Sequence, residues 1–152
     1  MYIIKTEQRF DSAHFLSGYQ GKCSNLHGHC WRVIIEVSQE NLNMDTQTRG
    51  MIADFGSLKA DLKELCDYMD HCLIIEEGTL KKTTYDALID EGFRIVNVPF
   101  RPTAENLAKY FYDKMNEKGY CVHRSIVYET ENNCAQYSKE GYFLSMGDNN
   151  DF

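Results

Sequence analysis

Two histidines separated by a single glycine, His27-Gly28-His29, carry the strongest chemical signal in the sequence. On extended backbone, residues i and i+2 project to the same face, so both imidazoles can reach one ion. His14, at the end of the first predicted strand, is the candidate for a third ligand. Three imidazoles with an open fourth position are typical of catalytic zinc, whereas structural zinc is usually closed by four protein ligands. The spacing therefore predicts a Zn²⁺ site, with histidines that only fill the surface or the core as the alternative.

A cysteine and an aspartate-histidine pair are the candidates for proton transfer. Cys23 precedes His27 by four residues, so its sulfur could serve as a metal ligand, a nucleophile or a base. Asp70-His71 follows an apolar helical pattern, and an aspartate beside a histidine can fix its tautomer and raise its basicity. A buried inert thiol and a solvated turn at the helix end are the respective alternatives.

Three further residues could contact a polar ligand. Glu129 ends a β-rich run, and a carboxylate there can accept two parallel hydrogen bonds from an amidine-like edge, such as that of a pterin or guanine. Thr103 and Glu105 open a strong helical pattern, where a hydroxyl and a carboxylate are equally typical of an N-cap and a first turn. The residues alone leave ligand binding and these structural roles open.

The elements that must position these residues alternate between strand and helix patterns. The spacing predicts strands over residues 2–10, 31–37 and 121–130, an extended segment over 94–98, and helices that begin near Asp54 or Ser57, at residue 83 and after Thr103. The first long helix ends about where Asp70 begins, and Gly119 stops the last one. This order describes an α+β domain with a mainly antiparallel sheet. Because a small sheet has open edges, we also predict a homo-oligomer that joins sheets between subunits.

Length and composition limit the number of domains. A chain of 152 residues with 43% hydrophobic content is long enough for one core and too short for two independent domains. We predict a single domain over residues 1–137. The sequence after Tyr137 is polar and acidic apart from a few apolar residues, which predicts a partly ordered tail over residues 138–152.

Charge and cysteine usage exclude several classes of partner. A formal net charge of -7 argues against nucleic-acid binding, which uses clustered Lys and Arg. No apolar run approaches the roughly 20 residues of a membrane-spanning helix, and the N-terminus lacks the pattern of a signal peptide. The six cysteines are irregularly spaced and form no CxxC pair, which favours free thiols in a reducing compartment. We therefore predict a cytoplasmic protein that binds a small molecule and neither nucleic acid nor membrane.

Six short runs resemble, in the same order along the chain, the 6-pyruvoyl-tetrahydropterin synthase and 6-carboxytetrahydropterin synthase family. The runs are FDSAH (10–14), CSNLHGH (23–29), MIADF (51–55), MDH (69–71), PTAEN (102–106) and VYET (127–130). Together they span roughly residues 4–137. The resemblance implies the tunnelling fold, in which a four-stranded antiparallel sheet carries two helices on one face. It also implies trimers that close a barrel, a hexamer of two stacked trimers, and active sites between subunits.

The resemblance further implies roles for the candidate residues. The implied zinc ligands are His14, His27 and His29. The implied proton-transfer residues are Cys23, as a base on the substrate side chain, and the pair Asp70 and His71, as its companion relay. The implied substrate contacts are Glu129, which anchors the pterin ring, together with Thr103 and Glu105. Lys22 and Arg101 lie beside matched runs and are the candidates for contacts to a triphosphate.

Three residues separate Cys23 from His27, as in the carboxy-forming bacterial branch of the family. That branch implies a zinc-dependent lyase that converts 7,8-dihydroneopterin triphosphate to 6-carboxy-5,6,7,8-tetrahydropterin, with loss of acetaldehyde and triphosphate, for queuosine and other 7-deazaguanine compounds. The pyruvoyl-forming reaction on the same substrate is one alternative, and a non-catalytic zinc-binding or purine-binding module is another. Two departures stand out: residues 76–98 are longer than in compact bacterial members, and the tail has no counterpart.

Overall fold

The computed structural model describes residues 1–139, whose strands form one continuous sheet. The strands are β1 (Tyr2–His14), β2 (His27–Gln39), β3 (Cys72–Glu76), β4 (Ile95–Val98), β5 (Val122–Tyr128) and β6 (Cys134–Tyr137). The helices are α1 (Phe55–Met69), α2 (Lys82–Asp90) and α3 (Ala104–Glu117). The spatial order of the strands is β4-β3-β1-β2-β5-β6. The α+β class is therefore confirmed.

The sheet differs in detail from the predicted four-stranded antiparallel sheet with two helices. The described residues form a six-stranded mixed sheet and three helices, because β3 runs parallel to β1, and β4 runs parallel to β3. Parallel neighbours need a crossover connection, and α2 in the long segment 76–98 supplies it. The four-stranded prediction is corrected on this point. Closure of the sheet into an oligomeric barrel remains a prediction.

At the loop end of the hairpin, both β1 and β2 are longer than their apolar residues indicate. The predicted strands end at residue 10 and begin at residue 31, whereas the paired backbone extends to His14 and from His27. Backbone hydrogen bonds maintain a ladder regardless of side-chain polarity, so the polar ends of both strands stay paired. As a result, His14 lies directly opposite His27 in the antiparallel register.

The hydrophobic core occupies one face of the sheet, beneath α1 and α3. Phe10 and Trp31 are opposite each other on β1 and β2, with ring centroids 6.2 Å apart, and both are buried. Apolar residues at helical spacing cover them; these are Leu58, Leu62, Cys66 and Met69 of α1 and Leu107, Ala108, Phe111 and Met115 of α3. Since side chains alternate between the two faces of a strand, the register puts His14, His27 and His29 on this same face. The histidines therefore continue the core toward the ends of the strands.

The helix boundaries agree with the predicted ones to within a few residues. Asp54 caps α1 by accepting a hydrogen bond from Ser57 N at 2.8 Å, and Gly119, in the left-handed region at φ 95°, follows the end of α3. No helix within residues 1–139 is long and apolar enough to cross a membrane. The predicted tail lies outside the described residues except for its first two positions, so the division into residues 1–137 and 138–152 stays a prediction.

Candidate active site

Three histidine side chains converge where β1 and β2 end. The ring centroid of His14 lies 4.4 Å from that of His27 and 5.1 Å from that of His29. The ring centroids of His27 and His29 are 5.0 Å apart. Their candidate ligand nitrogens all lie within 4.8 Å of one another. The two strands therefore bring together the three residues that the sequence predicted as metal ligands.

Backbone carbonyls orient two of these rings. His14 Nδ1 donates to the Pro102 carbonyl oxygen at 2.7 Å, and His27 Nδ1 donates to the Asn25 carbonyl oxygen at 2.7 Å. A proton on Nδ1 leaves Nε2 as the free lone pair, which is the usual arrangement of a metal-binding histidine. The Nε2 atoms of His14, His27 and His29 are all buried and lack a hydrogen-bond partner within the described residues. Because each such orphan costs about 1–3 kcal/mol, the three residues fit a bound metal ion.

Burial also favours the neutral form of the His14 and His29 imidazoles. Burial is the main reason that the pKa of His14 is lowered to about 4, a change that the hydrogen bond to Pro102 partly opposes. Burial likewise lowers the pKa of His29, although the nearby Glu129 carboxylate acts in the opposite direction. A metal binds the neutral imidazole, so the lowered pKa values of His14 and His29 favour the binding form.

Glu129 faces the same space. Its Oε1 atom lies 3.5 Å from Nε2 of both His14 and His29. The residue follows directly after β5, where its backbone N donates to the Asn133 carbonyl oxygen at 3.1 Å. The carboxylate and the histidine nitrogens therefore form one cluster at this end of the sheet.

Cys23 lies in a short 3-10 turn, Lys22–Ser24, within the loop that joins β1 to β2. Its carbonyl oxygen accepts a hydrogen bond from Leu16 N at 2.8 Å, and its side chain is partly exposed. Two other thiols are held in the protonated form, because burial raises the pKa of Cys66 to about 12 and that of Cys72 to about 11.

Asp70 and His71 form a hydrogen-bonded pair at the end of α1. His71 Nδ1 donates to Asp70 Oδ2 at 2.7 Å, and Asp70 Oδ1 accepts from Asp11 N at 2.8 Å. The Asp11 amide is the main reason that the pKa of Asp70 is lowered, and the Asp70 carboxylate raises the pKa of His71. His71 has a positive φ of 50°, a conformation uncommon for a residue other than glycine. Within residues 1–139 the pair forms neither a hydrogen bond nor an ion pair with Cys23.

The imidazole of His71 is 79% exposed and lines a groove of about 680 Å³. The groove is mainly apolar. Its lining includes Leu26, three residues after Cys23 in the same loop, and Leu88 and Phe93 from the segment around α2. Phe93 and Leu26 are both more than half exposed. The groove thus extends from the Asp70-His71 pair toward the loop that carries Cys23.

The remaining predicted residues have structural partners. Thr103 caps α3, because its Oγ1 accepts from Asn106 N at 3.4 Å, and Glu105 is an exposed carboxylate in the first turn. The alternative roles of cap and first-turn residue are therefore observed, and their contacts to substrate stay predictions. Arg101 Nη2 donates to the Ser17 carbonyl oxygen at 2.5 Å, so at least part of its guanidinium serves the fold. The triphosphate role suggested for Arg101 and Lys22 also stays a prediction.

No local pattern in the sequence indicates the groups that orient the histidines. The carbonyls of Asn25 and Pro102 accept from the rings of His27 and His14, and the Trp31 ring lies edge-on to His14 at 5.1 Å. Pro102 belongs to one of the matched runs. Its role, however, uses the backbone carbonyl, a group that every residue has and that therefore leaves no signal in the sequence. Its importance depends on a contact between residues 88 positions apart, which no local pattern reveals.

Comparison with known proteins agrees with this geometry. The sequence profile of the family described as 6-pyruvoyl tetrahydropterin synthase matches residues 3–140. A 6-carboxy-5,6,7,8-tetrahydropterin synthase from Haemophilus influenzae is 32% identical over 142 residues, which cover 91% of this chain and 100% of the relative.

Two solved structures share the fold at lower identity. An uncharacterized protein from Wolinella succinogenes superposes with a TM-score of 0.76 at 21% identity, covering 91% of this chain and 98% of the other. The 6-pyruvoyl tetrahydropterin synthase of Plasmodium falciparum gives a TM-score of 0.65 at 19% identity, covering 91% and 97%. The chain therefore belongs to the 6-pyruvoyl tetrahydropterin synthase family, and it is an enzyme of the tetrahydropterin synthase type.

Proposed function

We propose that the chain is a zinc-dependent lyase that converts 7,8-dihydroneopterin triphosphate to 6-carboxy-5,6,7,8-tetrahydropterin, releasing acetaldehyde and triphosphate, for queuosine and other 7-deazaguanine compounds. The proposal is carried by the buried Nε2 atoms of His14, His27 and His29, which lack a hydrogen-bond partner within the described residues. Two of them lie 3.5 Å from the Glu129 carboxylate. The Haemophilus influenzae relative bears the name of the carboxy-forming enzyme.

The three histidines would hold Zn²⁺, which supplies Lewis acidity toward the hydroxyl groups of the substrate side chain when it is bound. Glu129 would accept hydrogen bonds from the exocyclic amine and the ring N–H of the pterin, since a carboxylate offers two parallel acceptors. Glu129 Oε1 is 3.5 Å from two of the ligand nitrogens, so the carboxylate and the histidines belong to one site. The histidines and Glu129 therefore orient the side chain and the ring together.

Cys23 would remove a proton from the substrate side chain, and His71, oriented by Asp70, would handle a second proton. The pair shares no hydrogen bond or ion pair with Cys23 within the described part of one chain, and His71 is exposed at the edge of the groove. We propose that Asp70 and His71 act in the site of a neighbouring copy, as the family resemblance implies, in a trimer or hexamer.

Product analysis tests the reaction. Purified protein with about one zinc per chain is incubated with dihydroneopterin triphosphate, and the products are identified by mass spectrometry together with an assay for acetaldehyde. The carboxy-forming reaction yields acetaldehyde and the carboxylated pterin. A pyruvoyl product would support the alternative lyase reaction. The absence of any turnover above that of zinc-free protein would support a binding module.

Mixing two inactive variants tests the shared site. Cys23→Ala and His71→Ala are each expected to lose most turnover, since a proton-transfer group contributes about 10²- to 10⁴-fold to rate. If the two residues act in one site across an interface, subunit exchange between the variants restores part of the activity. A mixture that stays inactive, despite subunit exchange shown by native mass spectrometry, contradicts the shared arrangement.

A further inference from the structure

The loop of residues 15–26 carries Cys23 and forms one hydrogen bond to a residue outside its own hairpin, within residues 1–139. Inside the loop, Leu16 N donates to the Cys23 carbonyl oxygen at 2.8 Å. Within residues 1–139, the one hydrogen bond that ties the loop to an element beyond β1 and β2 runs from Arg101 Nη2 to the Ser17 carbonyl oxygen, at 2.5 Å. Arg101 therefore supplies the hydrogen bond that links the loop to the segment before α3.

Arg101 is itself held in place. Its carbonyl oxygen accepts from Asn106 Nδ2 at 3.0 Å and from Thr103 N at 2.8 Å. Both donors belong to the start of α3, which is anchored by buried residues in the core. On the other side of the contact, Gly18 has a φ of 73° and lies against Arg101 Nη2, where an added Cβ would be 3.8 Å away. The guanidinium thus connects a rigid helix start to the turn that follows Ser17.

The residue after Arg101 contacts the histidine site. The Pro102 carbonyl oxygen accepts the proton of His14 Nδ1 at 2.7 Å, and Pro102 is buried. Two consecutive residues therefore reach two different parts of the site: Pro102 orients a metal ligand, and Arg101 holds the loop of the candidate base.

We propose that Arg101 is a positioning residue that sets the distance between the Cys23 loop and the three histidines. The inference rests on the proposed function, which assigns Cys23 as the base. A guanidinium suits this task because it donates several hydrogen bonds from one rigid plane. Loss of the contact would let the loop move, and a misplacement of about 1 Å at a reacting group can lower the rate roughly 10²-fold.

The test compares Arg101→Met, which keeps an unbranched side chain and removes its donors, with Arg101→Lys, which keeps one charged donor. Arg49→Met is the matched control, because Arg49 is exposed and lies in the separate segment between β2 and α1. We expect Arg101→Met to lower kcat about 10- to 100-fold, with a zinc content close to that of the unaltered protein; a raised KM with an unchanged kcat would assign Arg101 to the triphosphate instead and would overturn the proposal. Arg101→Lys should recover part of the loss, and Arg49→Met should match the unaltered protein.

Hydrogen-deuterium exchange gives a readout that does not depend on turnover. In Arg101→Met, the amides of residues 15–26 should exchange faster while those of α1 and α3 keep their protection. Unchanged exchange in this loop, or an unchanged kcat, would overturn the proposal. Zinc loss or faster exchange across the whole chain would also overturn it, because Arg101 would then support the fold in general. If the unaltered protein makes no pterin product, the exchange result still decides the role of Arg101.

Discussion

The two histidines that face each other across the hairpin should respond very differently to truncation in metal-free protein. His14 is 1% exposed, its ring contacts Trp31, and its Nδ1 donates to the buried Pro102 carbonyl. His27 is only partly buried, and its Nδ1 donates to the carbonyl oxygen of Asn25, in the loop just before β2. His14→Ala should therefore affect the core, whereas His27→Ala should affect mainly the loop.

The magnitude follows from three contributions. Truncation of a large buried side chain to Ala costs about 2–5 kcal/mol. Leaving the Pro102 carbonyl without its donor costs a further 1–3 kcal/mol or so, and removing the unpartnered Nε2 of His14 returns about the same amount. The last two contributions offset each other, so His14→Ala should lower the free energy of unfolding of metal-free protein by about 2–5 kcal/mol. For His27→Ala we expect about 1 kcal/mol or less, the range of changes near the surface.

The assay is urea denaturation of chelator-treated protein at one fixed protein concentration, because oligomerisation makes apparent stability concentration-dependent. Zinc content is measured separately on untreated protein. Both variants should lose zinc, since two remaining protein ligands are too few to retain the ion. His123→Ala, at a histidine outside the site, should keep it.

Equal destabilisation of the metal-free protein by His14→Ala and His27→Ala would refute the reasoning from burial and the Pro102 hydrogen bond. Full zinc occupancy in either variant would refute the ligand assignment itself. Because the free energy of unfolding and the zinc content are measured independently, the expectation from burial can fail while the ligand assignment holds, and the reverse.

Three other outcomes follow from the site. Cys23→Ala should leave the affinity for a pterin ligand nearly intact while turnover falls about 10²- to 10⁴-fold; a rate close to that of the unaltered protein in product assays would contradict its role as a base. Glu129→Gln should weaken pterin binding by about 1.5–3 kcal/mol, the range for a hydrogen bond to a charged group, and should retain zinc; a normal dissociation constant in a fluorescence titration would exclude it as the ring anchor. His71 should titrate above 6.5 in an NMR experiment because Asp70 stabilises its protonated form, and Asp70→Asn should lower that value. Since the folded-state pKa is raised, this interaction stabilises the fold fully below pH 6.5 and is lost as the pH rises through the folded-state pKa; a His71 titration unaffected by Asp70→Asn would contradict the pairing.

Local patterns were sufficient for the helices and for part of the metal site. The apolar spacing of α1 and α3 and their caps at Asp54 and Thr103 depend on residues three or four positions apart, and the structure has these elements as predicted. His27 and His29 share a face because side chains on a strand alternate. Such features involve only neighbours along the chain.

Two short strands, β3 and β6, could not be predicted in the same way. β3 has five residues that follow α1 almost immediately, and it becomes a strand only because β1 and β4 lie on either side of it. β6 is a short polar edge strand whose pairing to β5 supplies its regular structure. The partners of β3 are distant in sequence, and β6 has only four residues, so neither segment carries much signal of its own.

By itself, the sequence determined which residue types could bind a metal, move protons and hold a pterin, because these capacities belong to the side chains and to the order of short motifs. Only the tertiary structure decided how they are arranged. The antiparallel register sets His14 opposite His27, and the Pro102 carbonyl turns the His14 Nε2 atom toward its neighbours. The structure also placed the Asp70-His71 pair at an exposed groove, without a hydrogen bond or ion pair to Cys23 within residues 1–139. The physical reason is that orientation depends on hydrogen bonds and packing between segments far apart in the chain, and these contacts exist only once the sheet and the helices have assembled.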